Sequence, residues 1–298
     1  MKSYRLLSST SVGYRLYDME DGSISLHKKR GIVNNASFLL VGDIVTLDKD
    51  GFIDNVLPRT NFLARPRLSN ADIVLVLISL KEPDFNTYLL DKFLTMTNFY
   101  RLKSAIVLTK CDMLNKREKT TIEKRMEDYK RIGYSVYFVS NKEKDKYDFA
   151  TLLEDLKGKS VALMGQTGVG KSSLINTIDS DFKRKIDDLR ISMGRGRHTT
   201  KEVILLPYTN GFLFDTPGFS SLDLEKMKPS DLAICFPGYE NYVEKCYFND
   251  CLHLESTKGC VIKEEIEKGI LSKDSYMNYL KIYEEVKAND VWKKKKDF

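Results

Sequence analysis

The sequence predicts a multidomain α/β protein: a small N-terminal β-barrel, a central domain with a largely parallel sheet, and a helical C-terminal part. Three observations predict it. Short β-rich runs separated by turn residues fill the first 62 positions. Strand-like and helical runs then alternate as far as Phe214, the pattern of a sheet covered by helices on both faces. From about Leu222 the apolar spacing is helical and surrounds a tight group of cysteines. The expected divisions are 1–62, 63–221 and 222–298.

The first part holds β-branched or alternating runs at Ser11–Met19, Gly22–Lys29, Ser37–Asp48 and Gly51–Pro58. Glu20-Asp21-Gly22 and Lys49-Asp50-Gly51 suit hairpin turns. From pattern alone, an oligonucleotide-binding-type barrel and a structural spacer barrel fit equally. In the middle part, strands are expected at Ile73–Leu80, Ala105–Thr109, Ser135–Ser140 and Ser160–Met164. Helices are expected at Lys116–Ile132 and from Lys171 to Ile178, and a hairpin over Val203–Pro207 and Gly211–Phe214. In the last part, helical segments at Asp231–Pro237 and Lys263–Gly269 flank the cysteines. Ser275–Ala288 puts Tyr276, Tyr279, Leu280, Tyr283 and Val286 near one helical face.

Composition sets bounds. Hydrophobic residues make up 42% and charged residues 30%, which argues for a folded chain rather than a disordered one. The longest apolar stretch, Ala71–Leu80, is interrupted by Asp72 and Ser79 and is too short to span a bilayer. The start, Met1-Lys2-Ser3-Tyr4-Arg5, lacks the apolar core of a secretion signal, so a cytoplasmic protein without membrane association is expected. The net charge of +6 alone only mildly favours an anionic partner, but the basic residues cluster. Lys183, Arg184, Lys185, Arg190, Arg195, Arg197 and Lys201 crowd one segment, and Lys293–Lys296 close the chain. Such runs read either as solvated surface or as a contact for a polyanion.

Gly165-Gln166-Thr167-Gly168-Val169-Gly170-Lys171-Ser172 matches the phosphate-binding loop pattern, between an expected strand and helix. Its glycines let backbone N–H groups approach phosphates, and the following helix adds its dipole. Lys171 would neutralise the β and γ phosphates, Ser172 would bind Mg²⁺, and Ser173 would be a weaker phosphate contact. Asp215-Thr216-Pro217-Gly218 follows an apolar strand. There Asp215 can hold Mg²⁺ through water, and Gly218 can sense the γ-phosphate. Thr199 or Thr200 suits the switch threonine on Mg²⁺, and the sequence does not choose between them.

Thr109-Lys110-Cys111-Asp112 fits the guanine motif. A carboxylate at Asp112 can accept from guanine N1–H and the exocyclic amine, which adenine does not offer in that arrangement, while the Lys110 stem can lie along the base. Threonine replaces the commoner asparagine, so a weaker brace is expected. Ser140-Asn141 is an imperfect match to the loop that contacts the base. These motifs run in rotated order, with the guanine motif before the phosphate loop. Both still fall at carboxyl ends of strands, where ligands bind in such sheets. Phe219 stands where many GTPases have a water-orienting glutamine, and His198 is the best local substitute.

Cys246-x₄-Cys251-x-His253-x₆-Cys260 offers three thiolates and an imidazole, a set suited to one structural tetrahedral Zn²⁺. Cys235 reads as core and Cys111 as a filler in the guanine motif. In a reducing compartment such a cluster favours metal over disulfides.

Together these motifs resemble the RsgA (YjeQ) family of circularly permuted GTPases, which act in maturation of the small ribosomal subunit. The resemblance extends to Val41-Gly42-Asp43-Ile44-Val45, to Arg59-x-Asn61-x-Leu63-x-Arg65-Pro66, and to Asn278-Tyr279. It implies an oligonucleotide-binding-type barrel, a circularly permuted P-loop GTPase domain and a helical zinc-binding subdomain. It also implies His198 at the catalytic histidine position, with the 30S subunit and its 16S rRNA as partners. A monomer is expected. The reading that follows is a GTP-hydrolysing assembly factor released on hydrolysis. A GTP-regulated RNA-binding module with incidental turnover would use the same residues, and a permuted GTPase of the large subunit fits the barrel and the Cys₃His set less well.

Overall fold

The computed structural model describes residues 2–34, 38–64, 66–181, 184, 203–216, 224 and 226–296. The chain divides into two compact units. The first comprises Met1–Val74, Ala150–Leu163 and Lys171–Phe219; the second comprises Leu75–Phe149, Met164–Gly170 and Ser220–Phe298.

In the first unit, six strands form the N-terminal sheet: β1 Tyr4–Ser9, β2 Tyr14–Asp18, β3 Ile24–His27, β4 Lys29–Asn34, β5 Ile44–Leu47 and β6 Ile53–Val56. Their order is β3-β2-β1-β5-β6-β4. β2 and β3 pair antiparallel across the turn at Gly22, and β5 and β6 across the turn at Gly51. Both glycines have positive φ, +75° and +81°, which favours Gly over any side chain. Leu6, Leu7, Leu16, Val45, Ile53 and Val56 are buried and form the core of this sheet. The expected run Ser11–Met19 shortens to β2, and Ser37–Asp48 supplies only β5, Ser37 itself lying outside the described residues. Strands β1 and β4 were not anticipated. A short hairpin follows, β7 Phe62–Ala64 with β8 Arg67–Ser69.

The central α/β region holds β9 Ile73–Ser79, β10 Ser104–Thr109 and β11 Ser135–Phe138, in the order β11-β10-β9, and, in the first unit, β12 Ser160–Met164, β13 Ile204–Tyr208 and β14 Gly211–Asp215, in the order β12-β14-β13. β10–β11 and β12–β14 run parallel, and β13–β14 is the expected antiparallel hairpin. Its helices are α1 Thr87–Phe99, α2 Lys116–Arg131, α3 Phe149–Leu156 and α4 Lys171–Ile178. α2 starts on a reciprocal capping box, Asn115 with Glu118, which satisfies two orphan N–H groups at its start.

Within the first unit, the N-terminal sheet packs on the β12–β14 part. The Tyr17 ring meets Phe212 edge-on at 5.2 Å. Gly42, at φ +96°, lies so close that a Cβ there would stand 2.1 Å from Ser69 O and 3.0 Å from the Phe214 ring. No side chain fits, which explains glycine in Val41-Gly42-Asp43. Asp43 is fully buried and accepts from Arg59, Ser69 Oγ and the Leu40 N–H.

In the second unit, α5 Pro229–Cys235, α6 Val261–Glu267 and α7 Lys273–Lys296 form the helical C-terminal part. Tyr276, Tyr279, Tyr283 and Val286 of α7 are buried with Phe236, Tyr239, Ile262 and Met96, so the expected apolar face is the one that packs. A polar hub reinforces it. Asp91 of α1, fully buried, accepts from Tyr129 Oη (2.7 Å) of α2 and from Ser275 Oγ (3.0 Å) and Asn278 Nδ2 (2.7 Å) of α7. Lys92 and Tyr88 of α1 both bond Glu285 of α7. No described helix is long and apolar enough to cross a membrane.

Candidate functional site: a phosphate loop, a guanine motif and a Cys₃His cluster

The phosphate loop leaves β12 at Gly165. A Cβ at Gly165 would stand 2.5 Å from Leu77 O of β9, so only glycine lets the two backbones meet. Gly168 and Gly170 have φ +85° and +94°, and Val169 between them is buried. Gln166 is half-buried, and Thr167 and Gly168 are exposed. The loop's last glycine runs directly into α4, whose first three residues are Lys171, Ser172 and Ser173. That join is the expected one: a glycine loop running into a helix whose first residue is a lysine. Burial lowers the Lys171 ammonium below the usual lysine range. Partial desolvation also strengthens its attraction for an anion.

The guanine motif ends β10. Thr109 Oγ1 donates to Val169 O at 2.7 Å, a buried bond from this motif to the phosphate loop. Lys110 adopts a left-handed conformation, φ 61°, and its Nζ bonds the carbonyl of Glu82. Asp112 Oδ1 accepts from Ser140 Oγ at 2.7 Å, and its Oδ2 lies 3.8 Å from Lys142 Nζ. Ser140 is fully buried, and its hydroxyl accepts the N–H groups of Lys142 and Glu143, each at 3.1 Å. Asn141 Nδ2 lies 4.0 Å from where a Cβ on Gly170 would be. Thr109, Lys110, Asp112, Ser140, Asn141 and the loop Gly165–Gly170 thus come together in one unit. Cys111 is buried and bonds Leu108 O, as suits a filler. Sequence reasoning flagged Ser140 as an imperfect match to the base-contacting loop but missed its bonds to Asp112, Lys142 and Glu143.

The first unit holds the other phosphate-side residues. Asp215 ends β14, and Thr216 Oγ1 donates to Leu163 O of β12 at 3.3 Å. A hydroxyl at Ser172 and a carboxylate at Asp215 are the hard oxygen donors that suit Mg²⁺. His198, Thr199, Thr200, Gly218 and Phe219 lie outside the described residues, as do all but Arg184 of the basic residues from Lys183 to Lys201.

Cys246, Cys251, His253 and Cys260 are all buried, with their ligand atoms within 4.8 Å of one another. His253 Nδ1 stands 3.7 Å from Cys246 Sγ and 3.4 Å from Cys260 Sγ. Zn–S and Zn–N bonds of about 2.3 and about 2.0 Å at a tetrahedral angle would set sulfur and nitrogen about 3.5 Å apart, so the set fits zinc. His253 Nε2–H donates to Ala233 O at 3.2 Å, which fixes the tautomer with Nδ1 free to ligate. Burial pushes the imidazole down to about 4 and the Cys260 thiol up to about 12. The imidazole is therefore neutral, and the Cys260 thiol needs a cation to ionise. Cys235 is half-buried beside this core.

These features define a P-loop nucleotide-binding fold with a guanine motif, its motifs in circularly permuted order. The family model described as RsgA GTPase matches residues 56–225. The small ribosomal subunit biogenesis GTPase RsgA of a Geobacillus strain is 36% identical over 276 residues, covering 91% of this chain and 93% of that protein. The protein of the same name from Bacillus anthracis is 35% identical, covering 92% and 94%. Among solved structures, YloQ, described as a circularly permuted GTPase, superposes with a TM-score of 0.81 at 31% identity, covering 97% and 96%. YjeQ from Thermotoga maritima gives 0.80 at 31% identity, covering 96% and 98%. The chain belongs to the RsgA GTPase family.

Proposed function

We propose that this protein is a GTP-hydrolysing assembly factor for late maturation of the 30S ribosomal subunit. It would bind 16S rRNA in its GTP form and leave on hydrolysis to GDP and phosphate. The observation that carries the nucleotide part is Asp112, a carboxylate oriented by Ser140 beside a strand end that Thr109 ties to the phosphate loop. The partner rests on family membership, since the relatives' names specify the small subunit. The basic segment around Lys183–Arg197 suits a phosphate backbone.

In this reading Asp112 accepts from guanine N1–H and the 2-amino group. Lys110 lies along the base, with Ser140 and Asn141 beside it. The N–H groups of Gly165–Gly170 and the Lys171 ammonium hold the phosphates, with Ser173 adding a contact. Ser172, Asp215 and Thr199 or Thr200 would hold Mg²⁺, which when bound offsets the charge that develops on the transferring phosphoryl group. Gly218 senses the γ-phosphate. His198 orients the water that attacks the γ-phosphorus, replacing the side chain that Phe219 lacks. The Cys₃His set would hold one structural Zn²⁺ with no open position for water. The functional parts are a barrel of oligonucleotide-binding type over 1–62, the GTPase domain over 63–221 and the zinc-binding part over 222–298, in a cytoplasmic monomer.

The test is single-turnover GTP hydrolysis with and without purified small subunits. Slow turnover alone and strong acceleration by subunits are expected. Equal rates would favour an RNA-binding module in which turnover is incidental.

A further inference from the structure

Arg5 of β1 is only 7% exposed, and none of the nucleotide chemistry above uses it. Its Nη2 donates to Asn70 O at 2.7 Å and to Ser160 Oγ at 3.1 Å. The guanidinium also lies over the Phe212 ring, 5.2 Å from its centroid. Nε is buried with no hydrogen-bond partner. A buried arginine held this way is weak evidence for stability, because its desolvation offsets much of what its bonds return. Its position is more telling.

The two residues Arg5 grips on the far side begin the strands that end in the phosphate chemistry. Ser160 opens β12, which runs five residues to the phosphate loop. Phe212 is second in β14, which ends at Asp215. Ser160 and Phe212 are partners in the β12–β14 ladder. Asp72 clamps the same point: its Oδ2 accepts from Ser160 N at 2.7 Å, and its N–H donates to Ser160 O at 2.8 Å. On the near side, Asn70 Oδ1 accepts from Thr60 N, and Nδ2 donates to Gly42 O, whose glycine packs under Phe214. The N-terminal sheet therefore grips the starts of two short, stiff strands, each about 17 Å long, whose far ends carry Gly165 and Asp215.

We propose that Arg5 is a positioning residue that transmits engagement of the N-terminal sheet by RNA along β12 and β14 to the phosphate site. It thereby sets the subunit-stimulated rate of hydrolysis without touching nucleotide. This rests on the functional reading above.

Two variants test it. Arg5→Lys keeps the cation but loses the planar group that lies over Phe212 and reaches both acceptors through Nη2. Ser160→Ala removes one acceptor and leaves both backbone bonds to Asp72. For each, kcat and KM for GTP are measured with and without small subunits, alongside subunit affinity with a non-hydrolysable analogue and the melting temperature. The expected result is parental basal kcat and KM, subunit affinity within about twofold, and a subunit-stimulated kcat lower by about fivefold or more, the size of an ordinary coupling free energy. Full stimulation in both variants would overturn the proposal. So would a fall in basal kcat equal to the fall in stimulated kcat, which would mark a structural role, or a fall explained entirely by weaker subunit binding. If Arg5→Lys does not fold, Ser160→Ala decides alone. A parent protein that subunits do not stimulate overturns the functional reading itself, and the parent arm separates that outcome from a failure of Arg5.

Discussion

The hydroxyl of Thr109 donates to the carbonyl oxygen of Val169, 2.7 Å away and buried, so the guanine motif and the phosphate loop share one bond. The sequence suggested that threonine would brace more weakly than asparagine. The contact runs from side chain to loop backbone. Thr109→Val keeps the shape and removes the donor, leaving a buried carbonyl unpaired at a cost of about 1–3 kcal/mol. Affinity for a GTP analogue, measured by calorimetry, should fall about fivefold to a hundredfold. Unchanged affinity would show that the bond does not shape the nucleotide site.

Asp112 and Ser140 make a second pair with separable roles. Asp112→Asn should weaken GTP binding and favour xanthosine triphosphate, because the amide supplies a donor to xanthine's extra carbonyl. Ser140→Ala should keep the preference for guanine while lowering affinity about tenfold to a hundredfold, since it removes one hydrogen bond to a charged group, worth about 1.5–3 kcal/mol. Competition binding with GTP, ATP and xanthosine triphosphate checks both. A parental selectivity pattern in Asp112→Asn would remove Asp112 as the base reader.

The Cys₃His set sits inside the apolar core shared by α5, α6 and α7. Purified protein should contain about one zinc per chain. Cys251→Ala, or treatment with a strong chelator, should make the C-terminal part protease-sensitive and spare nucleotide binding. Metal-free protein with a resistant C-terminus would refute a structural metal.

Asp91 gives a pH prediction. Burial raises its carboxyl to about 6 despite donors from Tyr129, Ser275 and Asn278 and the charge of Arg125. The unfolded value is about 3.9, so between these values the native state binds more protons. This group's contribution to stability is therefore fully present below about pH 4, declines as pH rises through about 6, and is flat above. The loss is up to about 3 kcal/mol at 1.36 kcal/mol per pKa unit. Asp91→Asn has no such titration. The stability of the parent relative to Asp91→Asn, from urea unfolding, should fall across pH 4–7. A flat difference would mean that the three donors already compensate the ionised form.

Much of this was legible in the sequence where local chemistry and pattern agree. β12 and α4 fall on the expected residues because the phosphate loop punctuates both. α2 was legible through its helical spacing. Helix α1 was missed because Thr87–Phe99 carries buried threonines and a buried aspartate among its apolar residues, which blurs the helical stripe. β1 was missed because its arginine is buried, against every rule of polarity. Thr109 acts through a backbone carbonyl 60 residues away and Ser140 through a carboxylate 28 residues away, and no motif records either partner.

The last prediction concerns the trigger for hydrolysis. Phe219 lacks the water-positioning amide of many GTPases, and His198 follows Gly194-Arg195-Gly196-Arg197. That segment therefore brings two cations, Arg195 and Arg197, next to His198 in sequence. In the proposed function, phosphates of an RNA partner would pair with those cations, with Thr199 or Thr200 on Mg²⁺ and His198 on the attacking water. Acceleration by small subunits should therefore weaken as salt rises. His198→Ala should lose most of the acceleration yet keep GTP-dependent binding to subunits. Groups that complete such a site are worth about 10³–10⁵ in related chemistry, so the loss should be easy to read. Single-turnover hydrolysis of parent and His198→Ala across a salt series, with cosedimentation in a non-hydrolysable analogue, checks both parts. Equal acceleration of the two proteins would remove His198 from the mechanism. A loss of subunit binding in the variant would move its role from water to RNA.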